Sequence, residues 1–391
     1  MKIPISKPYF GDEEQQAIIK PLQTGWVVQG PYVKQFETQF SAFTQATHSI
    51  ATSNCTTALH ICVAALGLKP GDEVIVPAFT WVSTANVVEY MGATPVFCDI
   101  DLRTFNLDWT QLEGLINERT VGLIPVHLFG LCADMNPILE IARQHNLWVV
   151  EDAACGLGGW YHGQHAGTFG DAGCFSFHPR KSITTGEGGM ITTARADIDK
   201  LGRSLRDHGA SRTDHERHTA KAGFLLAEYN ELGYNYRMTD IQGALGCVQM
   251  DRATWILAAR TRLAQNYNEL LDDLAWLETP IVPEGYVHGY QGYVCLFRPE
   301  TPTLANVEQL NERRNQIMTR MEERGIATRQ GTHAPVTVGY YANKYALQPE
   351  QFPNAHLAEQ LTLALPLYVQ MTAEEQDFVN AELRAAFEAA N

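Results

Sequence analysis

The sequence predicts an α/β protein built on a large, mostly parallel sheet, with a smaller α/β unit after it. Three observations carry that prediction. Short apolar, β-branched runs alternate with amphipathic helical patterns from residue 56 to residue 150, the rhythm of a parallel sheet covered on both faces. Turn chemistry such as Leu68-Lys69-Pro70-Gly71-Asp72 separates the elements. Beyond a long helical pattern at 239–274, the rest of the chain holds only short strands and two helices.

In order, helices are expected at 12–22 and 32–46, joined by the Gly-rich turn 25–31. A helix at 56–66 follows Asn54-Cys55, then a strand at 73–76, a helix at 80–90 and a strand at 94–98. A strand at 121–126, a helix at 136–146 and a strand at 147–150 run into Glu151-Asp152. Strands at 174–177 and 190–193 flank a loop with Lys181, and 195–207 reads as a helix. Residues 208–232 are polar and irregular, as in a surface excursion. The predicted division is a large domain at 1–274, closed by the 239–274 linking helix, and a small domain at 275–391 with helices near 306–324 and 373–389.

At 391 residues and 45% hydrophobic content the chain has ample material for a large core. A net charge of −15 argues against general nucleic-acid binding, which needs a basic face, but not against a local site for an anionic small molecule. The eight cysteines are scattered without a C-x-x-C pair, so no metal site is expected and reduced thiols in a cytoplasmic protein are. The first residues lack the apolar core of a signal peptide, and no run approaches the length of a membrane span.

Three strings carry chemistry. Asn54-Cys55-Thr56-Thr57 opens a helix, and the free N–H groups of a helix start suit a phosphate; a plain cap by Asn54 or Thr56 is the simpler reading. Leu147-Trp148-Val149-Val150-Glu151-Asp152 ends a buried strand in two acids. Ligands of open α/β sheets bind at such carboxyl ends, where a carboxylate can hold a ring nitrogen protonated. Phe175-Ser176-Phe177-His178-Pro179-Arg180-Lys181-Ser182, followed by Gly186-Glu187-Gly188-Gly189, sets a lysine in a stiffened turn with a Gly-rich loop behind it. A Schiff-base lysine must be held in place and must lose its charge to attack a carbonyl. A lone lysine beside Arg180 would read as a solvated turn; the whole string does not.

With that string the chain closely resembles, nearly end to end, the DegT/StrS family of sugar aminotransferases, which share the aspartate aminotransferase fold (the PLP-dependent transferase fold type I). The resemblance runs through Gly25-Trp26, Gly30-Pro31, Pro77-Ala78-Phe79-Thr80-Trp81, Glu151-Asp152-Ala153-Ala154, the Lys181 loop, Gly233-Tyr234-Asn235-Tyr236-Arg237-Met238 and Leu365-Pro366-Leu367-Tyr368. It implies pyridoxal 5′-phosphate (PLP) as cofactor, Lys181 as the Schiff-base lysine and proton carrier, and Asp152 as the partner of the pyridinium nitrogen. It implies Trp81 over the ring, with core packing as the plainer alternative, and Cys55, Thr56 and Ser176 at the phosphate. Asn235 would reach the phosphate of the neighbouring subunit, which implies a homodimer with shared sites.

The chain departs from many relatives in having Cys55 in place of Gly, which requires a negative φ there. It also has Cys155 in place of Gln or His, a smaller partner near the ring whose role the sequence leaves open. Arg329 and His333 lie where relatives have a sugar-contacting loop, or are solvated polar groups at a strand end. Arg237 would bind an anionic group or simply pair with an acid.

The expected reaction is ping-pong transfer of an amino group, from glutamate, to a keto group of a nucleotide-linked sugar. A 4-keto-6-deoxyhexose is the expected acceptor, within amino-sugar and polysaccharide (including lipopolysaccharide) biosynthesis. Two alternatives are a PLP-dependent sugar-nucleotide dehydratase, a branch that carries His in place of the lysine, and a catalytically silent PLP-binding regulator. Lys181 speaks against the first, and the acidic charge without a DNA-binding region against the second.

Overall fold

The computed structural model describes residues 2–212, 227–337 and 339–390. Of the irregular stretch expected at 208–232, residues 213–226 lie outside the described residues. The first half contains helices α1 (Asp12–Thr24) and α2 (Pro31–Thr44), strand β1 (His48–Thr52), α3 (Cys55–Ala65), β2 (Glu73–Pro77), α4 (Ser83–Tyr90) and β3 (Thr94–Cys98). The short α5 (Leu112–Leu115), β4 (Thr120–Leu123), α6 (Met135–Gln144) and β5 (Trp148–Asp152) follow. Next are β6 (Trp160–Tyr161), β7 (Gln164–His165), β8 (Ala172–Ser176), β9 (Gly189–Thr193) and α7 (Ala196–Leu205). The long helix α8 (Asp240–Leu271) then leads to β10 (Leu277–Glu278), β11 (Tyr286–Val287), β12 (Tyr293–Phe297) and α9 (Val307–Glu323). The chain closes with α10 (Gly339–Tyr345), α11 (Pro353–Leu361), β13 (Thr362–Leu365) and α12 (Ala373–Glu388).

The main sheet has seven strands in the order β1-β9-β8-β5-β4-β2-β3. Strands β3, β2, β4, β5 and β8 run parallel, and β9 is antiparallel to both its neighbours, β8 and β1. The predicted mixed α/β architecture with a mostly parallel sheet is therefore present. Strand β2 is buried at all five positions, and β5 at four of five, because helices cover both faces and no alternation is required. The sequence pattern misses β1: His-Ser-Ile-Ala-Thr has a single large apolar side chain, and tertiary pairing with β9 makes it a strand.

A three-stranded sheet, β10-β12-β13, forms in the C-terminal region. The chain crosses between the two regions more than once: Ile3 bridges Ile326, and β11 pairs with β6. Glu37 on α2 fastens the first region internally. It accepts from Arg206 Nη1 at 2.6 Å, Arg203 Nη1 at 2.8 Å and the Ala51 N–H at 3.0 Å. Burial works against its charge, but Arg206, Arg203 and the Ala51 amide together hold its carboxyl below the usual range.

Candidate active site

The sheet places three sequence-distant segments in one line. Asp152 ends β5 opposite Cys174 of β8, Ser176 ends β8 opposite Gly189 of β9, and Gly189 faces Thr52 at the end of β1. Thr52 leads straight to Asn54, the N-cap of α3, whose side chain accepts from the Thr57 N–H at 2.9 Å. The N–H groups of Cys55 and Thr56, in the first turn, are left for a partner outside the helix. Gly189 permits this approach: a Cβ there would sit 2.4 Å from the Asn54 backbone. The register thus brings Ser176 close to the helix start at Cys55 and Thr56. Cys55 occupies the first helical position and is not among the residues with positive φ, so its side chain is accommodated.

Asp152 is buried at the carboxyl end of β5. Its Oδ2 accepts from Thr84 Oγ1 at 2.7 Å, and its Oδ1 from the Ala154 N–H at 3.1 Å. Burial raises its pKa above the usual carboxylate value, against the opposing pull of Thr84, the Ala154 amide, Lys181 and His127. Such a carboxylate lacks a full cationic partner and suits a protonated ring nitrogen.

Lys181 reaches back from its loop so that Nζ donates to Cys155 Sγ at 3.1 Å. Burial pushes its ammonium down, but the Cys155 contact and Asp152 outweigh that and leave it above the ordinary lysine value. Beside it, the Ser182 hydroxyl is buried without a hydrogen-bond partner. Burial, and then Asp152, push the Cys55 thiol well up, so it stays neutral.

Trp81 precedes α4 and is 58% exposed, so it is not a core residue. Its ring lies 5.8 Å from that of His333, and the His333 carbonyl accepts from the Thr80 N–H at 3.0 Å. His333 therefore joins the site wall, itself half exposed. Arg329 does not join it: its guanidinium folds onto the Thr328 carbonyl. Arg237 pairs with Asp207, one of the two outcomes expected for it. Asn235 is exposed, and the rings of its neighbours Tyr234 and Tyr236 stack on each other.

Two partners were not singled out from sequence. Thr84 lies one helical turn after Trp81, a spacing visible in sequence, but its contact with Asp152 depends on the fold. His127 is fully buried, and its Nδ1 accepts from the Ala133 N–H, so Nε2 carries the proton to Glu151 at 2.8 Å. Glu151 also accepts from the N–H groups of Gly167, Phe169 and Gly170. Alternation along β5 thus gives its two terminal acids different tasks: Glu151 ties a loop and Asp152 serves the site.

An amine, a buried carboxylate, an aromatic platform and a helix start with free N–H groups meet at one sheet edge. That donor set fits PLP: a nitrogen nucleophile for its aldehyde, an anion for its ring nitrogen and a cradle for its phosphate.

Residues 8–384 match the sequence model of the DegT/DnrJ/EryC1/StrS aminotransferase family. GDP-perosamine synthase of Caulobacter vibrioides is 38% identical over 384 residues, covering 98% of this chain and 97% of that one. The spore coat polysaccharide biosynthesis protein SpsC of Bacillus subtilis is 36% identical over 385 residues, covering 98% and 96%. The solved structure of a putative sugar aminotransferase, Spr1654 of Streptococcus pneumoniae, in its PMP form superposes with a TM-score of 0.91 at 28% identity, covering all of both chains. Its PLP form gives 0.90 at 27% identity, again over all of both chains.

Proposed function

This chain belongs to the DegT/DnrJ/EryC1/StrS aminotransferase family, and on that premise we propose how its residues divide the work. It is a PLP-dependent sugar aminotransferase. When bound, PLP supplies an electron sink for the charge left as the donor Cα loses its proton. Lys181 is the Schiff-base lysine and, once displaced by substrate, the base and acid that carries that proton. Asp152 holds the ring nitrogen in its protonated form, itself steadied by Thr84 and Ala154. Trp81 covers the ring, and Ser176, Thr56 and the N–H of Cys55 hold the phosphate.

The donor is glutamate and the acceptor a keto group on a nucleotide-linked sugar, of the 4-keto-6-deoxyhexose class. A relative named GDP-perosamine synthase, similar along almost its whole length, supports a nucleotide-linked acceptor. His333, beside Trp81, contacts the acceptor; Arg329 and Arg237 do so only if they leave Thr328 and Asp207. Asn235 completes the phosphate site of a second copy, which its exposure and the neighbouring exposure of Tyr229 and Leu232 support. The large unit spans 1–274 and the small one 275–391. No helix among the described residues is long and apolar enough to cross a membrane. Eight free thiols support a place in the cytoplasm, in the biosynthesis of amino sugars for polysaccharide such as lipopolysaccharide.

The observation that carries the reading is the convergence of Lys181 and the anchored Asp152 at one sheet edge. The test is the visible band of lysine-bound PLP. Glutamate should bleach it, a matching keto-sugar nucleotide should restore it, and borohydride should fix the cofactor on the Lys181 peptide. A band that no amino donor alters would overturn the reading.

A further inference from the structure

We infer that Cys155 is the positioning residue of Lys181: while the lysine is not bonded to the cofactor, its amine is held on the Cys155 sulfur rather than on the Asp152 carboxylate. The inference rests on Lys181 being the Schiff-base lysine and adds how that amine is kept between turnovers.

The geometry is direct. Lys181 Nζ donates to Cys155 Sγ at 3.1 Å, within the reach of an N–H···S bond, and no other hydrogen-bond acceptor pairs with Nζ among the described residues. Asp152 forms no ion pair with Lys181; its two oxygens accept instead from Thr84 and Ala154. The thiol sits three residues past Asp152, where the chain leaves β5 and turns, with the Gly156 N–H bonded to the Ala153 carbonyl at 2.8 Å. That turn aims the sulfur at the lysine. The charged or titratable groups facing the amine are Cys155 and Asp152 from the β5 segment and Cys55 from α3; its own loop adds His178 and Arg180. The Cys155 contact favours its ammonium form.

Sequence reasoning treated Cys155 as a small side chain of uncertain use. The structure gives it a partner that no other cysteine has. The other seven are buried, and Cys155 alone is partly exposed. A partly exposed thiol is the one a labelling reagent reaches first.

Two measurements on the full-length protein test the pair. In the first, PLP is added to cofactor-free protein and the rate of band formation is followed against pH. Only the neutral amine attacks, so removing a group that favours the ammonium moves the pH midpoint down. Cys155→Ala should lower it by about one pH unit, a roughly tenfold faster reaction near neutrality, and Cys155→Ser, which keeps an acceptor, should fall between. In the second, Cys155 of the cofactor-free protein is alkylated with iodoacetamide and read by peptide mass spectrometry in wild type and Lys181→Met. Loss of the neighbouring cation should slow labelling about tenfold. A midpoint unchanged in Cys155→Ala, or a labelling rate unchanged in Lys181→Met, overturns the inference. A wild-type protein that forms no band refutes the Schiff-base reading instead, and the alkylation rates still decide whether thiol and amine are paired.

Discussion

Thr84 Oγ1 lies 2.7 Å from Asp152 Oδ2 and donates to it, so the helix beginning beside Trp81 and the strand ending at the acid are joined at one carboxylate. Thr80 Oγ1 stands 2.9 Å behind Thr84 Oγ1, and the Thr80 N–H is bonded to His333. The start of α4 beside Trp81, the Asp152 carboxylate and the His333 segment are therefore set against one another by three hydrogen bonds. Thr84→Val removes two of them, the bond to Asp152 and the bond to Thr80, without changing the volume much. A bond to a charged group contributes about 1.5–3 kcal/mol, so kcat/KM should fall about tenfold or more. The fold should stay intact, as a steady-state assay beside a circular-dichroism melt would show.

Lys181→Ala should still bind PLP through the phosphate cradle and Asp152. Loss of a positioned acid–base group lowers the rate by about 10²–10⁴-fold. Borohydride should then leave no cofactor on the protein, whereas wild type retains it through the lysine.

Gly189 is where strand and helix start meet. A methyl group there would press on the Asn54 backbone from 2.4 Å, and overpacking of this kind costs about 1–3 kcal/mol. Gly189→Ala should therefore lower both Tm and PLP affinity, and equilibrium dialysis against free PLP would read the second effect directly.

Glu37 gives a pH signature. Its folded-state pKa is depressed, so its contribution is present above the unfolded value and lost as pH falls through the folded one. Glu37→Gln leaves Arg203 and Arg206 without their shared carboxylate. Breaking a buried pair from one side costs about 3–5 kcal/mol. Urea melts should show that loss near neutral pH, shrinking as the medium is acidified.

If Asn235 serves a partner's site, two inactive proteins should rescue each other. Mixed dimers of Lys181→Ala with Asn235→Ala subunits contain one intact site and one doubly altered site. Random exchange in an isologous dimer then makes about a quarter of all sites intact. Activity that stays at the level of the two parents would show that the site is built from one chain.

What the sequence disclosed and what it hid divide along physical lines. Lys181 and Asp152 were legible because each sits in a local string whose turn, glycines and strand end are all contiguous. The parallel sheet was legible because buried strands write themselves as apolar runs. Strand β1 was not, since a half-polar pentapeptide becomes a strand only through β9. The contacts of Thr84 with Asp152 and Lys181 with Cys155 join residues 68 and 26 positions apart, a distance no local pattern spans. Arg237 illustrates the reverse: a cation in a recognisable motif whose observed partner is Asp207.

The order of the sheet also has a consequence in time. Strand β1, which leads into the Asn54-Cys55-Thr56 turn, has β9 as its one strand partner among the described residues, about 140 positions later. Contacts so far apart in sequence form slowly, because a long loop must close before the pairing stabilises anything. The helix start and Ser176 face each other only once Gly189 lies between them. The pairing of β1 with β9 is thus expected to complete late in folding, which the order of amide protection in pulsed hydrogen exchange would check. A chain that binds PLP in the Lys181 pocket has already completed its sheet, and the visible band doubles as a spectroscopic clock for the end of folding.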